Sequence, residues 1–181
     1  MSRIGNAPIV LPHGVEFSQK DGNIVVIKGP LGQLEKQIDG EVITLTHKDN
    51  TLHLSRVNED KAVKSKHGLY RALIFNMVEG VTKGYKKSLM INGVGYKAAV
   101  AGSKLTLNVG FSHSVEMEAP HGIKIEIPKA NIIEISGIDK ELVGQFAAQI
   151  RKIKPVEPYH GYGVRYLDEV VIHKEGKKAG K

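Results

Sequence analysis

The sequence contains no cysteine and no tryptophan, and aromatic residues make up only 6% of it. The absence of cysteine excludes disulfides, thiolate metal sites and cysteine nucleophiles, and it is typical of a reducing, cytosolic compartment. The chain also lacks an apolar run of roughly 18 residues, the length that a membrane-spanning helix requires. The N-terminal segment MSRIGNAPIV has no long apolar stretch after its single arginine, so we expect no secretory signal.

The charge of the chain is positive and unevenly distributed. Residues 1–82 hold 10 basic and 9 acidic side chains, whereas residues 83–181 hold 16 basic and 10 acidic ones. The net charges of the two halves are therefore +1 and +6, within a total of +7. A neutral half joined to a basic half indicates that the second half binds a polyanion, and nucleic acid is the leading class of partner. We expect neither a membrane nor a small-molecule substrate.

Hydrophobic periodicity predicts strands followed by a helix in the first half. Short apolar stretches alternate with turn dipeptides such as Asp21-Gly22 and Asp39-Gly40, which is typical of antiparallel hairpins. Between Asp60 and Val78 the apolar spacing changes to three and four, which predicts an amphipathic helix. Gly80 and Gly84 are the predicted stop signals of this helix.

The second half repeats this plan, with six short apolar stretches followed by a predicted helix from Asp139 to about Ile153, just before Pro155. We therefore predict an α+β fold of two similar units, each a small antiparallel sheet with a helix packed on one face. The predicted division is an N-terminal unit of residues 1–82, a C-terminal unit of residues 83–169 that binds RNA, and a basic tail of residues 170–181.

Two alignments of the chain with itself compete to define the internal repeat. A shift of 108 residues superposes Pro12-His13-Gly14 on Pro120-His121-Gly122, and a shift of 79 superposes Asp60-Lys61 on Asp139-Lys140. The first shift gives more identities, but it would place the start of the second helix near residue 168 of a 181-residue chain. We favour the second shift, because a unit must include the helix that covers its sheet.

No group of residues suggests catalysis or a bound cofactor. The segment from Gly93 to Ala98 has the spacing of a dinucleotide-binding fingerprint, but that motif requires a helix directly after it, and here a strand is predicted. The eight histidines are scattered, without the spacing of metal ligands. We find no acid, base or nucleophile set, so we expect no enzyme activity, no metal and no cofactor.

The segment from Arg151 to Tyr166, RKIKPVEPYHGYGVRY, has a composition that suits RNA. Two prolines stiffen it, two glycines let backbone N–H groups approach a ligand, and lysine, arginine and tyrosine supply donors for phosphate and ribose. A glycine-rich surface loop with incidental charge is the alternative. The lysines of the tail make that alternative less attractive, and we expect this tail to be loosely held until it binds.

Several segments together resemble the ribosomal protein L6 family of the large subunit. They are, in chain order, SRIGNAPIVLP, GPLG, INGVGYKA, VGFSHSV and EPYHGYGVRYLDEVV. The resemblance covers essentially the whole chain. The sequence departs from the family's usual pattern at His160 and Tyr162, where lysines are usual, and at Ser114, where proline is usual.

The resemblance implies a structural constituent of the large ribosomal subunit, located in the cytoplasm within the ribosome. It implies that the C-terminal unit binds 23S-type rRNA near the sarcin–ricin loop, beside the site of translational GTPases, with neighbouring ribosomal proteins as further partners. Together with the basic segments, it gives these candidate RNA-binding residues: Gly93, Gly95, Tyr96, Lys97, Phe111, Ser112, His113, Ser114, Lys152, Lys154, Tyr159, His160, Gly161, Tyr162, Gly163, Arg165, Tyr166, Lys174, Lys177 and Lys178.

Two other classes of function remain as alternatives. A non-ribosomal protein that binds structured RNA would explain the same charge distribution. Tandem readers of single-stranded RNA stack bases on aromatic-rich strands, and this chain has only four phenylalanines and six tyrosines, none in such a strand. An enzyme of small α+β type is the third possibility, and the sequence offers no reactive group for it.

Overall fold

The computed structural model describes residues 3–48 and 50–177. The chain forms two compact units. The first runs to Gly84 and also includes Ile138–Lys140, and the second comprises Tyr85–Gly137 and the chain from Glu141 onward. Within the described ranges, no helix is long and apolar enough to cross a membrane.

The first unit contains two three-stranded antiparallel sheets and one helix. One sheet has the order β2-β3-β4 and the other has the order β1-β6-β5. The long helix α1 (Lys61–Thr82) follows the last strand. The strands are β1 (Ile9–Val10), β2 (Glu16–Lys20), β3 (Ile24–Gly29), β4 (Gly32–Gln37), β5 (Ile43–Lys48) and β6 (Thr51–Arg56).

Helix α1 buries one apolar stripe against these sheets. Ile74, Val78 and Val81 lie three or four residues apart and are buried, together with strand residues such as Ile27 and Leu52. The helix continues beyond the predicted end near Val78, and Gly80 is a buried helical residue, so its prediction as a stop signal was wrong. The glycine that follows the helix is Gly84, in the left-handed conformation.

The second unit again has two antiparallel sheets and a helix. The smaller sheet has the order β10-β9-β8, and the larger has the order β11-β12-β7-β13. The helix is α2 (Lys140–Ile153). The strands are β7 (Tyr85–Asn92), β8 (Lys97–Ala101), β9 (Lys104–Asn108), β10 (Val115–Glu118), β11 (Ile123–Lys129), β12 (Ile132–Gly137) and β13 (Gly163–Tyr166).

The core of the second unit lies between α2 and the strands. Phe146, Ala147 and Ile150 of α2 are buried in one apolar cluster with Leu89 of β7 and Ile133 of β12. Burying a large aliphatic or aromatic side chain is worth about 1.5–3 kcal/mol. This packing holds the inner strand β7 in place. It therefore also positions strand β13, which pairs with β7, and the loop that follows Asn92 at the end of β7.

The order of strand pairing repeats between the units and supports the shorter of the two shifts. The pairing of β1 with β6 and of β6 with β5 corresponds to that of β7 with β12 and of β12 with β11. The two Pro-His-Gly segments occupy different places: the first precedes β2, and the second precedes β11. The 108-residue alignment therefore matches unlike turns.

The predicted α+β class with two similar units is confirmed, but each unit has two sheets where one was predicted. Two strands were missed. Strand β4 has only Leu34 as an apolar residue, and β13 has the composition GVRY, so neither shows the alternation that identifies a strand. The segment from Tyr159 to Tyr166, where no strand was predicted, therefore ends in a strand that pairs Gly163 with Asn92 and Tyr166 with Leu89.

Candidate nucleic-acid interface

Three loops of the second unit are linked. Loop 1 (residues 93–96) joins β7 to β8, loop 2 (residues 109–114) joins β9 to β10, and loop 3 (residues 154–162) joins α2 to β13. Loop 1 contacts loop 2, loop 2 contacts loop 3, and Asn92, directly before loop 1, bonds to loop 3. We call the three together the loop surface. Most of the residues predicted to bind RNA lie on it.

Tyr96 joins loop 1 to loop 2. A Cβ added at Gly93 would lie 2.5 Å from Tyr96 Cδ2, and one added at Gly110 would lie 3.0 Å from Tyr96 Cε1. The tyrosine ring therefore packs directly on the backbone of both loops. Any side chain at position 93 would force the ring away, which explains the glycine there.

Loop 3 is attached to loop 2 and to the end of β7, directly before loop 1. The side-chain amide of Asn92, immediately before loop 1, donates a 3.0 Å hydrogen bond to the carbonyl of Gly161. The Lys154 ammonium lies 5.0 Å from the centroid of the Phe111 ring in loop 2, a cation–π contact. The structure thus brings together segments that are up to 69 residues apart in the chain.

The carboxylate of Glu157 stabilises loop 3 by hydrogen bonds to the backbone of the same loop. It accepts hydrogen bonds from the backbone N–H groups of His160, at 2.7 Å, and Tyr159, at 3.3 Å. The Glu157 backbone N–H in turn donates to the carbonyl of Tyr162 at 3.0 Å. Desolvation raises the pKa of the Glu157 carboxyl, but the backbone donors together with His160 outweigh it, so the pKa is lowered overall.

Gly163, the first residue after loop 3, has a conformation that other residues rarely adopt. Its φ angle is +141°, and an added Cβ would lie 2.7 Å from the Pro155 carbonyl oxygen and 2.8 Å from that of Lys154. The next residue, Val164, donates its backbone N–H to the Lys154 carbonyl at 2.7 Å. This close approach of two backbones closes the loop at its base.

The exposed side chains on and beside the loop surface are mainly cations, rings and small polar residues, and the apolar Val94 of loop 1 is also exposed. Lys97 and Lys152 are exposed, and Lys154 is half-buried beside Phe111. Phe111, Ser112, His113 and Ser114 are exposed along loop 2. Tyr159, His160 and Tyr162 are exposed on loop 3, and Gly95 is exposed on loop 1.

Two of the predicted contacts, Arg165 and Tyr166, are engaged within the protein. The Arg165 guanidinium donates to the Glu169 carbonyl at 2.9 Å, and its other terminal nitrogen lies 3.4 Å from Met90 Sδ. The half-buried Tyr166 ring contacts two cations, Lys87 and Arg151, each 5.7 Å from its centroid. These contacts give both side chains a structural role that the sequence did not reveal, and they reduce the donors that Arg165 can offer to RNA.

Arg151 and Glu169 attach the segment after β13 to helix α2. The guanidinium donates from Nε to Glu169 Oε2 at 2.9 Å and from its Nη2 atom to Oε1, a bidentate pair. The backbone N–H of Tyr166 also donates to this carboxylate, at 3.1 Å. The hydrogen bond from Arg151 lowers the pKa of the Glu169 carboxyl, and the same pair raises the pKa of Arg151.

The start of the tail is held against loop 3. The backbone N–H of Lys174 donates to the Pro158 carbonyl at 2.8 Å, and His173 Cε1 lies 3.0 Å from the position of a Cβ at Gly161. The expectation of a loosely held tail is thus wrong at these two residues. Lys174 and Lys177 expose their side chains, and Lys178 lies outside the described residues.

Sequence reasoning missed the residues that hold the loops together. The side chains of Asn92 and Glu157 bond to backbone atoms of loop 3, and the Glu169 carboxylate pairs with Arg151. No spacing in the sequence reveals these partners. The fingerprint-like segment beginning at Gly93 is followed by strand β8, not by the helix that a dinucleotide site requires. Over residues 3–48 and 50–177, no group of three or more histidine or acidic side chains could hold a metal ion.

A duplicated α+β fold, with cations and exposed rings gathered on loops of its basic unit, is typical of proteins that bind structured RNA. Comparison with known proteins identifies the family. The family model for ribosomal protein L6 matches residues 11–84 and 92–167, two segments that begin 81 residues apart, close to the favoured repeat shift. The chain belongs to the ribosomal protein L6 family.

Individual relatives match the chain along its full length. It is 52% identical to the large ribosomal subunit protein uL6 of Dictyoglomus thermophilum over 181 residues, covering 100% of this chain and 99% of the relative. The proteins of the same name from Finegoldia magna and Clostridioides difficile are 51% and 48% identical, over 98% and 100% of both chains.

Proposed function

We propose that this protein is a structural constituent of the large ribosomal subunit and that its second unit binds 23S-type rRNA through the loop surface. The first part is supported by the full-length similarity to proteins named as large-subunit components. The observation that carries the second part is the convergence of three loops, because Tyr96 packs on loops 1 and 2 and Asn92 bonds to loop 3.

The chemistry of the loop surface suits a phosphate backbone. The exposed Lys97 and Lys152 supply charge, and the exposed side chains of loops 2 and 3 supply hydroxyls and rings. Contacts of this kind fix the position and shape of a bound RNA without reading its bases. The excess of positive charge in residues 83–181 also favours this unit over the first as the RNA-binding part.

The resemblance of loops 1, 2 and 3 to the family's segments further supports a position near the sarcin–ricin loop, beside the site of translational GTPases. In that position the protein would act without catalysis, by holding rRNA in its folded form. Its other partners would be neighbouring ribosomal proteins, and its location would be the ribosome in the cytoplasm.

A non-ribosomal structured-RNA-binding protein is the alternative, and it would use the same surface. The chain is identical at about half of its positions to proteins named as large-subunit components, over its full length, and this favours the ribosomal role. Co-sedimentation of the protein with large subunits at rising salt distinguishes the two. Retention up to high salt supports the ribosomal role, and loss at low salt supports the alternative.

The test of RNA binding compares two variants of the full chain with equal charge changes. In the first, Lys97, Lys152 and Lys154 on or beside the loop surface are replaced by glutamine. In the second, the matched control, Lys48, Lys61 and Lys83 of the first unit, all exposed, are replaced in the same way. Affinity for an rRNA fragment containing the sarcin–ricin loop is measured over a range of salt concentrations.

We expect the loop-surface variant to show a salt slope smaller by about two to three and a correspondingly lower affinity, because each phosphate that the protein leaves unneutralised keeps about one counterion. The control variant should retain the slope of the unsubstituted protein. Equal decreases in the two variants would contradict the proposal, since RNA would then respond only to total charge.

A further inference from the structure

The exposed large aromatic residues are concentrated on the loop surface. Across residues 3–48 and 50–177, four phenylalanines and tyrosines are exposed: Phe75, Phe111, Tyr159 and Tyr162. The last three lie on loops 2 and 3. None of these three rings belongs to the core cluster of the second unit, so their clustering suggests a role beyond core packing.

Two pairs of rings on these loops are already stacked. His160 and Tyr162 have centroids 5.5 Å apart and planes inclined by 18°. Phe111 and His113 have centroids 5.9 Å apart and planes inclined by 14°. Near-parallel rings at these distances leave outer faces that can extend the stack with a further flat group.

The His160–Tyr162 pair is held in place before any ligand binds. The backbone N–H and the ring Nδ1 of His160 lie 2.7 and 3.2 Å from the Glu157 carboxylate. The Tyr162 carbonyl accepts the Glu157 N–H at 3.0 Å. Because the loop is fixed by its own hydrogen bonds, a ligand that stacks on the pair has less conformational entropy to remove.

We infer that the His160–Tyr162 pair binds an unpaired base of the RNA by stacking on it. This inference rests on the proposed function and adds the class of nucleotide that the site recognises. Two lysines belong to or adjoin the same loop: Lys154 is the first residue of loop 3, and the backbone N–H of Lys174 donates to the Pro158 carbonyl. A base on the rings would therefore bring its phosphates close to positive charge, which favours RNA over an apolar protein surface.

The same geometry accounts for the two departures from the usual family sequence in loop 3. Lysines at positions 160 and 162 would contribute charge alone, whereas histidine and tyrosine contribute flat faces. Stacking depends little on ionic strength, so this chain exchanges part of a salt-dependent contact for one that persists at high salt. The bound RNA must then offer at least one base outside a helix at this place.

The absence of tryptophan from the chain makes the contact directly observable. In the full-length variant Tyr162→Trp the new indole is the only tryptophan, and a base stacked on it should quench its fluorescence when the sarcin–ricin rRNA fragment is added. The matched control is Phe75→Trp, at an exposed aromatic position on α1 of the first unit. We expect strong quenching of the first variant and little change in the second.

A second measurement separates stacking from charge. Tyr162→Leu removes the ring and should weaken RNA binding about tenfold with an unchanged salt slope, because base–ring stacking carries no counterion release. Tyr162→Phe keeps the ring and should bind like the unsubstituted protein. Circular dichroism of each variant verifies that the fold is retained.

The outcomes distinguish this inference from the function on which it rests. If the unsubstituted protein fails to bind the rRNA fragment, the proposed function is wrong. If it binds, but Tyr162→Trp is not quenched and Tyr162→Leu binds normally, the stacking inference alone is overturned. Should Tyr162→Leu then also fail to enter large subunits, the rings would be assigned to a protein neighbour.

Discussion

At the level of single residues, glycines of the second unit differ in what their missing side chain does. Gly163 has a φ of +141°, and an added Cβ would lie 2.8 and 2.7 Å from the carbonyl oxygens of Lys154 and Pro155, whereas Gly144 lies in helix α2 with nothing within 4 Å of an added Cβ. The first needs to be glycine because of its conformation and its neighbours. The second has no such requirement, and its flexibility only weakens the helix.

The two positions therefore predict opposite effects of the same substitution. Gly163→Ala should lower the free energy of unfolding by about 2 kcal/mol or more, because it combines backbone strain with a steric clash. Gly144→Ala should raise it by up to about 1 kcal/mol. Urea denaturation of both variants measures the difference, and a destabilised Gly144→Ala would show that this position packs more tightly than the structure indicates.

The Glu169 carboxylate leads to a prediction about pH. Its pKa in the folded protein is lowered from the ordinary value of 4.5, first by the hydrogen bond from Arg151. A carboxyl group with a lowered folded pKa stabilises the protein fully above its unfolded pKa, and this stabilisation disappears as the pH falls through the folded pKa. The contribution of Glu169 is therefore present at neutral pH and vanishes in acid below 4.5.

Glu169→Gln should consequently lower the free energy of unfolding by about 1 kcal/mol at neutral pH, since a half-exposed bidentate pair is replaced by a neutral amide. Well below the ordinary glutamate pKa, the variant and the unsubstituted protein should become nearly equal in stability. Denaturation curves at several pH values test this, and a difference that persisted unchanged in acid would contradict the role of the carboxylate charge.

At the level of elements, the sequence predicted the helices and strands that have apolar side chains on one face and polar side chains on the other. Helix α2 has Phe146 and Ile150 on one buried face, and it ends at Ile153, before Pro155, as its periodicity indicated. Strands β4 and β13 are defined by backbone pairing and carry few apolar side chains, so no periodicity identifies them. The spacing of apolar residues in the sequence predicts which side chains are buried, but it does not predict which distant strand a backbone segment pairs with.

The candidate site was predictable to the same limited extent. Its residue types followed from glycines, lysines and tyrosines in segments resembling a known family. The contacts that gather the loops, such as Asn92 with Gly161 or Tyr96 with Gly110, join segments that are distant in the chain. Arg165 was predicted as a phosphate contact because of its charge, and only the folded geometry shows its bond to the Glu169 carbonyl.

The tail provides a prediction at the same level. Removing residues 174–181 takes away four lysines and the bond from Lys174 to Pro158. The slope of log affinity against log salt should become smaller by about one for each phosphate that these lysines neutralise. Affinity titrations of the truncated and full chains at several salt concentrations measure this, and identical slopes would mean that the tail does not bind RNA.

At the level of the whole molecule, duplication has produced two units of the same plan and different charge. Each has two antiparallel sheets and a helix, but the positive excess lies in the second half of the chain. The fold therefore does not by itself determine where RNA binds. The proposed division of labour depends on charge and on the three loops of the second unit, and the first unit serves as an internal comparison.

The most direct test of this account is ultraviolet cross-linking of the full chain to the sarcin–ricin fragment of large-subunit rRNA, followed by mass spectrometry of the linked peptides. We predict that the linked residues fall within 92–97, 109–114 and 152–162, with aromatic residues of loops 2 and 3 among them. Cross-links confined to the first unit, in a complex whose affinity is otherwise high, would contradict the assignment of RNA binding to the loop surface.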